Sequence, residues 1–392
     1  MSRLTRCRGC HASAGALEII VTLDPMPLVG SFCESAEEAR RLTQYPFTLV
    51  WCTACGLAQA LEDIDDHVLF GSYHYKSSSI LGVVRHFSGY ADELVARYGR
   101  GNVRLLEVGC NDGVLLRRLP NSWRLVGVDP SDVAAAAGAR NYELINDHFS
   151  MRLARDIATD ERFDVIVSSN CVAHVTDMHD VLAGMAYLLV DGGELWIEAH
   201  DLDAVLSGQW DAMYHEHKGY WSADSLSGCA ARLGLVADEV TRLPVHGGLL
   251  RVRLRKTAGA PRPSAPRRPP FERVVRAYEG RRSTSTYDAL MRAHADGKRV
   301  AGYGASGRAA VWFNQLPEIR PDYVVDDSPL RANLWMAGVA LPIVEAPVFR
   351  ERPPDVCVIT AWNYADDIRA RHDWFRGEWL QSFVHPARQA AG

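Results

Sequence analysis

The chain has 392 residues, enough for two or three domains and a sizeable core rather than a peptide or a single small module. Hydrophobic residues make up 47% and charged residues 23%, and 43 basic against 48 acidic side chains leave a net charge of -5, which excludes both a disordered chain and a polycation built for nucleic acid. No apolar run approaches the roughly 18 residues of a membrane span, and the first residues, MSRLTRCRGC, lack the apolar stretch of a secretory signal, so a cytoplasmic location with no membrane partner is expected.

Nine cysteines are present, and a reducing compartment argues against a disulfide framework. Cys7 and Cys10 form one C-x-x-C, and Cys52 and Cys55 form another. Two residues between thiolates let both reach one ion from a tight turn, so the two pairs together make a tetrahedral sulfur shell for a structural zinc. Four thiolates saturate the ion, leaving it no chemistry. A redox C-x-x-C is disfavoured because neither pair opens a β-α unit. Cys33, Cys110, Cys171, Cys229 and Cys357 read as small core residues.

Residues 1 to about 75 therefore read as a metal-stapled module with short strands such as Phe47 to Cys52. A helical pattern follows over VVRHFSGYADELVARYG, ending on Gly99. Strands are expected at Asn102–Gly109, Arg124–Asp129, Phe163–Ser169 and Gly193–Ala199, with helices at GVLLRRL and MHDVLAGMAYLLV between them. This alternation is that of a doubly wound α/β sheet. The segment Thr257–Pro270, rich in proline, alanine and arginine, is a linker or excursion. A second strand-turn-helix start lies at Lys298–Phe313, followed by strands in DYVVDD and PDVCVITAW. The division expected is 1–75, 76–256 and 257–392.

The first α/β start carries a cofactor signal. Glu107 ends a strand, and Gly109, Cys110, Asn111, Asp112 and Gly113 form the turn beyond it. The glycines let backbone approach a ligand where a Cβ would intrude. Asp129, at the end of the next strand, is placed to accept both ribose hydroxyls of a nucleoside. E-x-G-x-x-x-G lacks the second close glycine that a pyrophosphate wants, so an adenosyl group with an amino-acid tail, as in S-adenosylmethionine, fits better than a dinucleotide. The second start, Gly302-Tyr303-Gly304-Ala305-Ser306-Gly307 with Asp326 and Asp327 further on, is a formal G-x-G-x-x-G and keeps an NAD-binding reading open. Arg308 could instead meet a phosphate there.

Between these starts lies the densest cluster of titratable and aromatic groups, Trp210 to Trp221, with Tyr214-His215-Glu216-His217 at its centre. H-E-H is not the spacing of a helical zinc protease, and in a strand it puts His215 and His217 on one face with Glu216 opposite. Metal ligands, a polar surface loop, and general acid-base groups are all compatible with it. His174 follows a strand at the carboxyl edge of the sheet, where open α/β folds bind ligands.

Along nearly its whole length the chain resembles the sugar C-methyltransferases, which act on nucleotide-linked 4-ketosugars in making the branched deoxysugars of antibiotics. The resemblance rests on the two C-x-x-C pairs, Tyr73-His74-Tyr75-Lys76-Ser77-Ser78, Glu107 to Gly113, Tyr214 to His217, His246-Gly247-Gly248, Tyr303-Gly304-Ala305 and Ala361-Trp362-Asn363-Tyr364. Leu249 stands where the family commonly has serine, and Arg308-Ala309-Ala310-Val311 where it has lysine and then Gly-Asn-Thr. The resemblance implies an α/β protein with a small zinc-binding amino-terminal module, a central Rossmann-like methyltransferase domain, and a carboxy-terminal Rossmann-like domain closing the substrate cleft. The second glycine turn then becomes a wall of that cleft. It also implies that Tyr75, His174, Tyr214, Glu216 and His217 surround a ketosugar. His217 is the favoured base, Tyr214 or Glu216 orients it, and His174 or Tyr75 bonds the enolate oxygen. The expected reaction is S-adenosylmethionine-dependent methylation of a sugar carbon, C-3 favoured. The alternatives are an NAD-linked oxidoreductase and a nucleic-acid-binding zinc ribbon.

Overall fold

A computed structural model describes residues 1–70, 76–79, 81–138, 141–243, 245, 247–259 and 263–383. Three sheets organise them. The first is antiparallel, in the order Gly219–Tyr220, Ala58–Ala60, Tyr45–Cys52, Leu17–Met26, so its edge strand Gly219–Tyr220 arrives from far along the chain. The Phe47–Cys52 strand expected from sequence is part of Tyr45–Cys52, and a tight turn after it carries Cys55.

The second sheet has seven strands in the order Leu235–Leu243, Leu249–Lys256, Leu189–His200, Phe163–Ser169, Arg104–Val108, Arg124–Val128, Glu143–Ile145. The five from Leu189–His200 to Glu143–Ile145 are parallel, and Leu249–Lys256 and Leu235–Leu243 add on antiparallel. Leu105, Leu106, Val126, Val165, Ile166 and Val167 are buried, the near-continuous apolar run of strands covered on both faces. The helix Leu81–Tyr98 covers one face and stops at Gly99, whose φ of +74° suits a residue without a Cβ. The helix Met178–Leu188 covers the other face, with its amino end capped by Asp177.

One element departs from expectation. GVLLRRL forms only a 3-10 turn at Leu116–Arg118, because Asn111 and Gly113 hold positive φ just before it and Pro120 follows just after. Too few residues remain between these breaks to propagate an α-helix.

The third sheet is parallel, in the order Ile343–Glu345, Tyr323–Asp326, Val300–Tyr303, Val356–Ile359, Glu378–Gln381, with the helix Gly307–Gln315 following its central strand. The fold is α/β throughout the two larger sheets.

The amino-terminal module is wedged between these sheets. Leu23, Phe47 and Leu49 share one core with Met213, Phe271 and Phe313, while Cys7, Cys52 and Leu57 share another with Met178, Leu182 and Trp221. The strand Phe32–Cys33 pairs with Trp335–Met336, tying the module to the carboxy-terminal sheet. The proline-rich stretch, described from residue 263, has no regular structure. It lies on the module, with Pro266 against Gly56 and Arg268 bonded to Glu18 at 2.9 Å.

Candidate active site

The metal pairs come together as the spacing requires. Sγ of Cys7 lies 3.6 Å from that of Cys55, and Sγ of Cys10 lies 3.8 Å from that of Cys52. Zn–S bonds of about 2.3 Å in a tetrahedron put the sulfurs about 3.8 Å apart, so the four thiols fit zinc without rearrangement. Gln59 Nε2 donates to Cys7 Sγ at 3.1 Å and the Gly9 N–H at 3.4 Å, which orients one sulfur from outside the shell. All four Sγ atoms lie within 4.8 Å of one another. Of the remaining cysteines, Cys33, Cys110, Cys229 and Cys357 are buried and Cys171 is half-buried.

The first glycine turn opens from Val108. Gly109, Asn111 and Gly113 have φ of +82°, +47° and +73°. A Cβ on Gly109 would stand 2.6 Å from Cys171 Cβ, and one on Gly113 would meet the Tyr142 ring at 2.8 Å, so both glycines are required by the protein's own packing as well as by φ. Asp129 accepts from the Asn111 N–H at 2.8 Å and the Ser131 N–H at 2.9 Å, which pins the turn to the next strand. Segment 76–79 lies over the turn: the Ser77 N–H donates to Asn111 Oδ1 at 3.0 Å, and the Ser78 N–H to Asp112 Oδ2 at 3.2 Å.

Four buried oxygens at this edge have no hydrogen-bond partner among the described residues: Glu107 Oε2, Asp112 Oδ1, Ser169 Oγ and Asn170 Oδ1. They belong to the ends of two adjacent parallel strands and the turns beyond them. Each such group costs about 1–3 kcal/mol if nothing meets it, so their concentration marks the seat of a polar ligand. Burial, with the nearby Asp129 and Glu198 carboxylates adding to it, holds the Glu107 carboxyl well above the usual range.

The segment Tyr214–His217 is a turn, not a strand: the His217 N–H donates to Tyr214 O at 3.0 Å, and extended pairing begins only at Gly219. The expectation of two imidazoles on one face therefore fails, because no neighbouring strand holds residues 214–218 extended. His215 turns to the amino-terminal module, its Nε2 at 3.0 Å from Pro46 O and its ring edge-on to Tyr45 and Phe47. His217 turns the other way. Neither is a surface histidine: each is 4% exposed.

His217 sits among rings, with Tyr214 at 3.9 Å, His200 at 3.8 Å and His174 at 5.3 Å between centroids. Its Nδ1 donates to Ala212 O at 3.0 Å, and His174 Nδ1 donates to Glu216 O at 2.8 Å. With Nδ1–H committed in both, each presents a basic Nε2. Burial, then the neighbouring His200 and His174, pushes His217 well below the usual imidazole range, and burial pushes His174 and His215 down to about 4. Glu216 points away, its Oε1 in the space a Cβ on Gly30 would take, and burial raises it to about 7. Tyr75 and His246 lie outside the described residues.

Two features hold this loop in place. Lys218, 1% exposed, pairs with Asp66 and donates to Thr176 Oγ1 at 2.5 Å. Arg8, between the first two cysteines, donates to Thr176 O at 3.1 Å and Asp63 at 3.0 Å. The metal module thus abuts the Tyr214–His217 turn.

The second glycine turn is built differently. A Cβ on Gly304 would meet Ala361 Cβ at 2.6 Å, and one on Gly307 would meet Val29 at 3.2 Å and the Tyr214 ring at 3.5 Å. Asp326 accepts from the Ala305 N–H at 2.6 Å and pairs with Arg331 at 3.3 Å. Arg308 does not await a phosphate. It pairs with Asp211 at 2.5 Å, donates to Gln209 at 3.0 Å and lies over the Trp362 ring. The glycines, the acid and the arginine of this turn are all engaged by the protein itself.

Sequence reasoning overlooked His200, Ser169, Asn170 and Asp211. His200 ends the buried strand Leu189–His200 beside Phe163–Ser169, so the carboxyl-edge argument that singled out His174 also applies to it.

Comparison with known proteins agrees with this architecture. A zinc binding domain model matches residues 7–70, a methyltransferase domain model residues 83–240, and a C-methyltransferase C-terminal domain model residues 270–387. The C-methyltransferase NovU of Streptomyces niveus is 30% identical over 369 residues, 89% of this chain and 88% of that one. A ubiquinone biosynthesis O-methyltransferase of Nitrobacter winogradskyi is 32% identical over 94 residues, 23% of this chain and 36% of that one. Among solved structures, the 1,6-didemethyltoxoflavin-N1-methyltransferase of Burkholderia thailandensis matches with a TM-score of 0.38 and 18% identity, covering 52% of this chain and 96% of that one. Among the described residues no helix is long and apolar enough to cross a membrane. The match to NovU along most of both chains, together with the three domain models in order, shows that this chain belongs to the C-methyltransferase family, enzymes that transfer a methyl group from S-adenosylmethionine to carbon.

Proposed function

We propose that the protein C-methylates a nucleotide-linked 4-keto-deoxysugar in natural-product biosynthesis, at the carbon next to the ketone and with C-3 favoured. The single observation that carries this reading is the pair of imidazoles, buried His217 and half-buried His174, whose Nδ1–H groups are tied to backbone carbonyls and which sit at the same sheet edge as the orphaned oxygens of Glu107, Asp112, Ser169 and Asn170. In this reading the chain divides at 75/76 and 256/257, and the four cysteines hold the zinc. Cys52→Ser then loses the metal and with it solubility, since metal binding and folding are linked; full zinc content in that variant, read by elemental analysis, contradicts the assignment.

S-Adenosylmethionine supplies an electrophilic methyl on sulfur. The chain's share is to seat it and to make carbon nucleophilic. Glu107, Gly109, Asn111, Asp112, Gly113 and Asp129 form the seat, with Asp129, which already accepts from the Asn111 N–H and from the N–H and Oγ of Ser131, turning its remaining lone pair to the ribose. A carbon beside a ketone is a weak acid, so a base must remove its proton while a donor stabilises the growing negative charge on oxygen. His217 Nε2 receives the proton. Tyr214, packed on the His217 ring, orients it and the sugar, and Glu216 lends the His174 ring its backbone carbonyl. His174 or Tyr75 bonds the enolate oxygen. The carbon-methyl bond forms as the sulfur-methyl bond breaks, its electrons staying on sulfur, and the proton leaves from His217. The gain over solution comes from alignment and from an anhydrous, fixed base.

The test is incubation with S-adenosylmethionine and a panel of nucleotide 4-ketosugars in heavy water, reading product mass and ring-proton exchange. One added methyl on carbon, with exchange of a single ring proton when the donor is replaced by S-adenosylhomocysteine, is expected. Methyl transfer to oxygen or nitrogen, or turnover without exchange at the adjacent carbon, overturns the reading.

A further inference from the structure

His200 is absorbed by nothing above, yet it completes a cluster. One ring nitrogen from each of His174, His200 and His217 lies within 4.8 Å of one from each of the other two. An ion bound through nitrogen at about 2.0–2.1 Å in a tetrahedron sets its ligand nitrogens about 3.3 Å apart. The rings therefore have to close by at most about 1.5 Å. His174 and His217 are already held as metal-binding imidazoles are, each donating Nδ1–H to a backbone carbonyl, which sets the tautomer in which Nε2 carries the lone pair. The three come from independent elements: the turn after Phe163–Ser169, the end of the adjacent strand Leu189–His200, and the turn before Gly219. His174 and His200 are half-buried, which leaves a way in. The nearby Arg308 is paired with Asp211, which offsets part of its charge.

We propose that His174, His200 and His217 form a second metal site, separate from the four cysteines, that takes one divalent transition-metal ion such as zinc through three imidazoles with the remaining position open. Imidazole donors suit zinc, copper and nickel rather than magnesium or calcium. The consequence for activity rests on the function proposed above: a lone pair given to a metal cannot accept a proton, so occupancy silences His217. The site is inhibitory, and metal content reads it independently of turnover.

The experiment starts from protein holding one equivalent of zinc and equilibrates it with zinc chloride at about 100 μM free ion. Wild type is expected to take up a second equivalent, and its α-proton exchange to fall at least tenfold and recover when the free zinc is buffered away. His200→Gln and His174→Gln are expected to keep the first equivalent and lose the second, and zinc inhibition measured against the rate of His200→Gln holding only the first equivalent is expected to drop below twofold. Cobalt substitution gives a visible absorption band in the second site of wild type that His200→Gln lacks. Failure of wild type to bind a second equivalent, or its retention in both variants, overturns the site. A second equivalent that is lost in the variants but leaves wild-type exchange unchanged supports the site and contradicts the assignment of His217 as base.

Discussion

The two glycine turns make an instructive pair, since they look alike as sequence and do opposite things as structure. Around residues 109–113 the glycines pack against Cys171 and Tyr142, and one buried oxygen of each of Glu107, Asp112, Ser169 and Asn170 has no partner among the described residues. Around residues 304–307 the glycines pack against Ala361, Val29 and Tyr214, and although Asp326 is engaged much as Asp129 is, no buried oxygen of Asp326, Asp327 or Thr360 lacks a partner. A glycine motif states that backbone must pass close to something. Only the balance of satisfied and unsatisfied polar atoms around it says whether that something is a ligand or the rest of the chain.

This contrast can be broken by substitution. Gly304→Ala places a Cβ 2.6 Å from Ala361 Cβ and 2.9 Å from its backbone N, at a φ of +102°. Strain and overpacking together should cost about 2–5 kcal/mol of stability, visible in urea unfolding; a variant as stable as wild type contradicts the filled turn. Asp129→Ala should weaken S-adenosylmethionine by about 1.5–3 kcal/mol, the range for hydrogen bonds to a charged group, while the protein stays folded. Unchanged affinity by calorimetry shows that the ribose lies elsewhere. Asp326→Ala strips the Ala305 and Ser328 N–H groups of their acceptor. It should lose about 1–3 kcal/mol of stability and leave S-adenosylmethionine affinity within about twofold, because neither N–H is near the first turn. A thermal shift with NAD that disappears in Asp326→Ala would reverse the comparison.

Much of this was legible in the sequence where one local rule decides. FDVIVSS is the strand Phe163–Ser169 to the residue, because a buried parallel strand is a short apolar run with turn residues at its end. The cysteine pairs were legible for the same reason: two residues between thiols is a statement about one turn. What failed depends on distant partners. The alternation assumed for His215 and His217 needs a paired strand, and the pairing that exists, Gly219 and Tyr220 with Gln59 and Ala58, starts two residues too late. His200 carries the same strand-end signal as His174, but its place beside His174 follows only from Leu189–His200 lying next to Phe163–Ser169. Arg308 looked like a phosphate ligand because Asp211, its partner, lies 97 positions away.

The most direct test of the account is α-proton exchange from the ketosugar in heavy water, followed separately from methyl transfer, in His217→Asn and His215→Asn. His217→Asn keeps a polar side chain of similar reach and should bind both ligands yet lose a factor of about a hundred or more in exchange and in methylation, the usual share of a general base. His215→Asn, whose ring is bonded to Pro46 and faces the amino-terminal module, should keep exchange within a few-fold of wild type. Exchange that survives in His217→Asn and vanishes in His215→Asn, or that vanishes only in Tyr214→Phe, contradicts the assignment of His217 as the base.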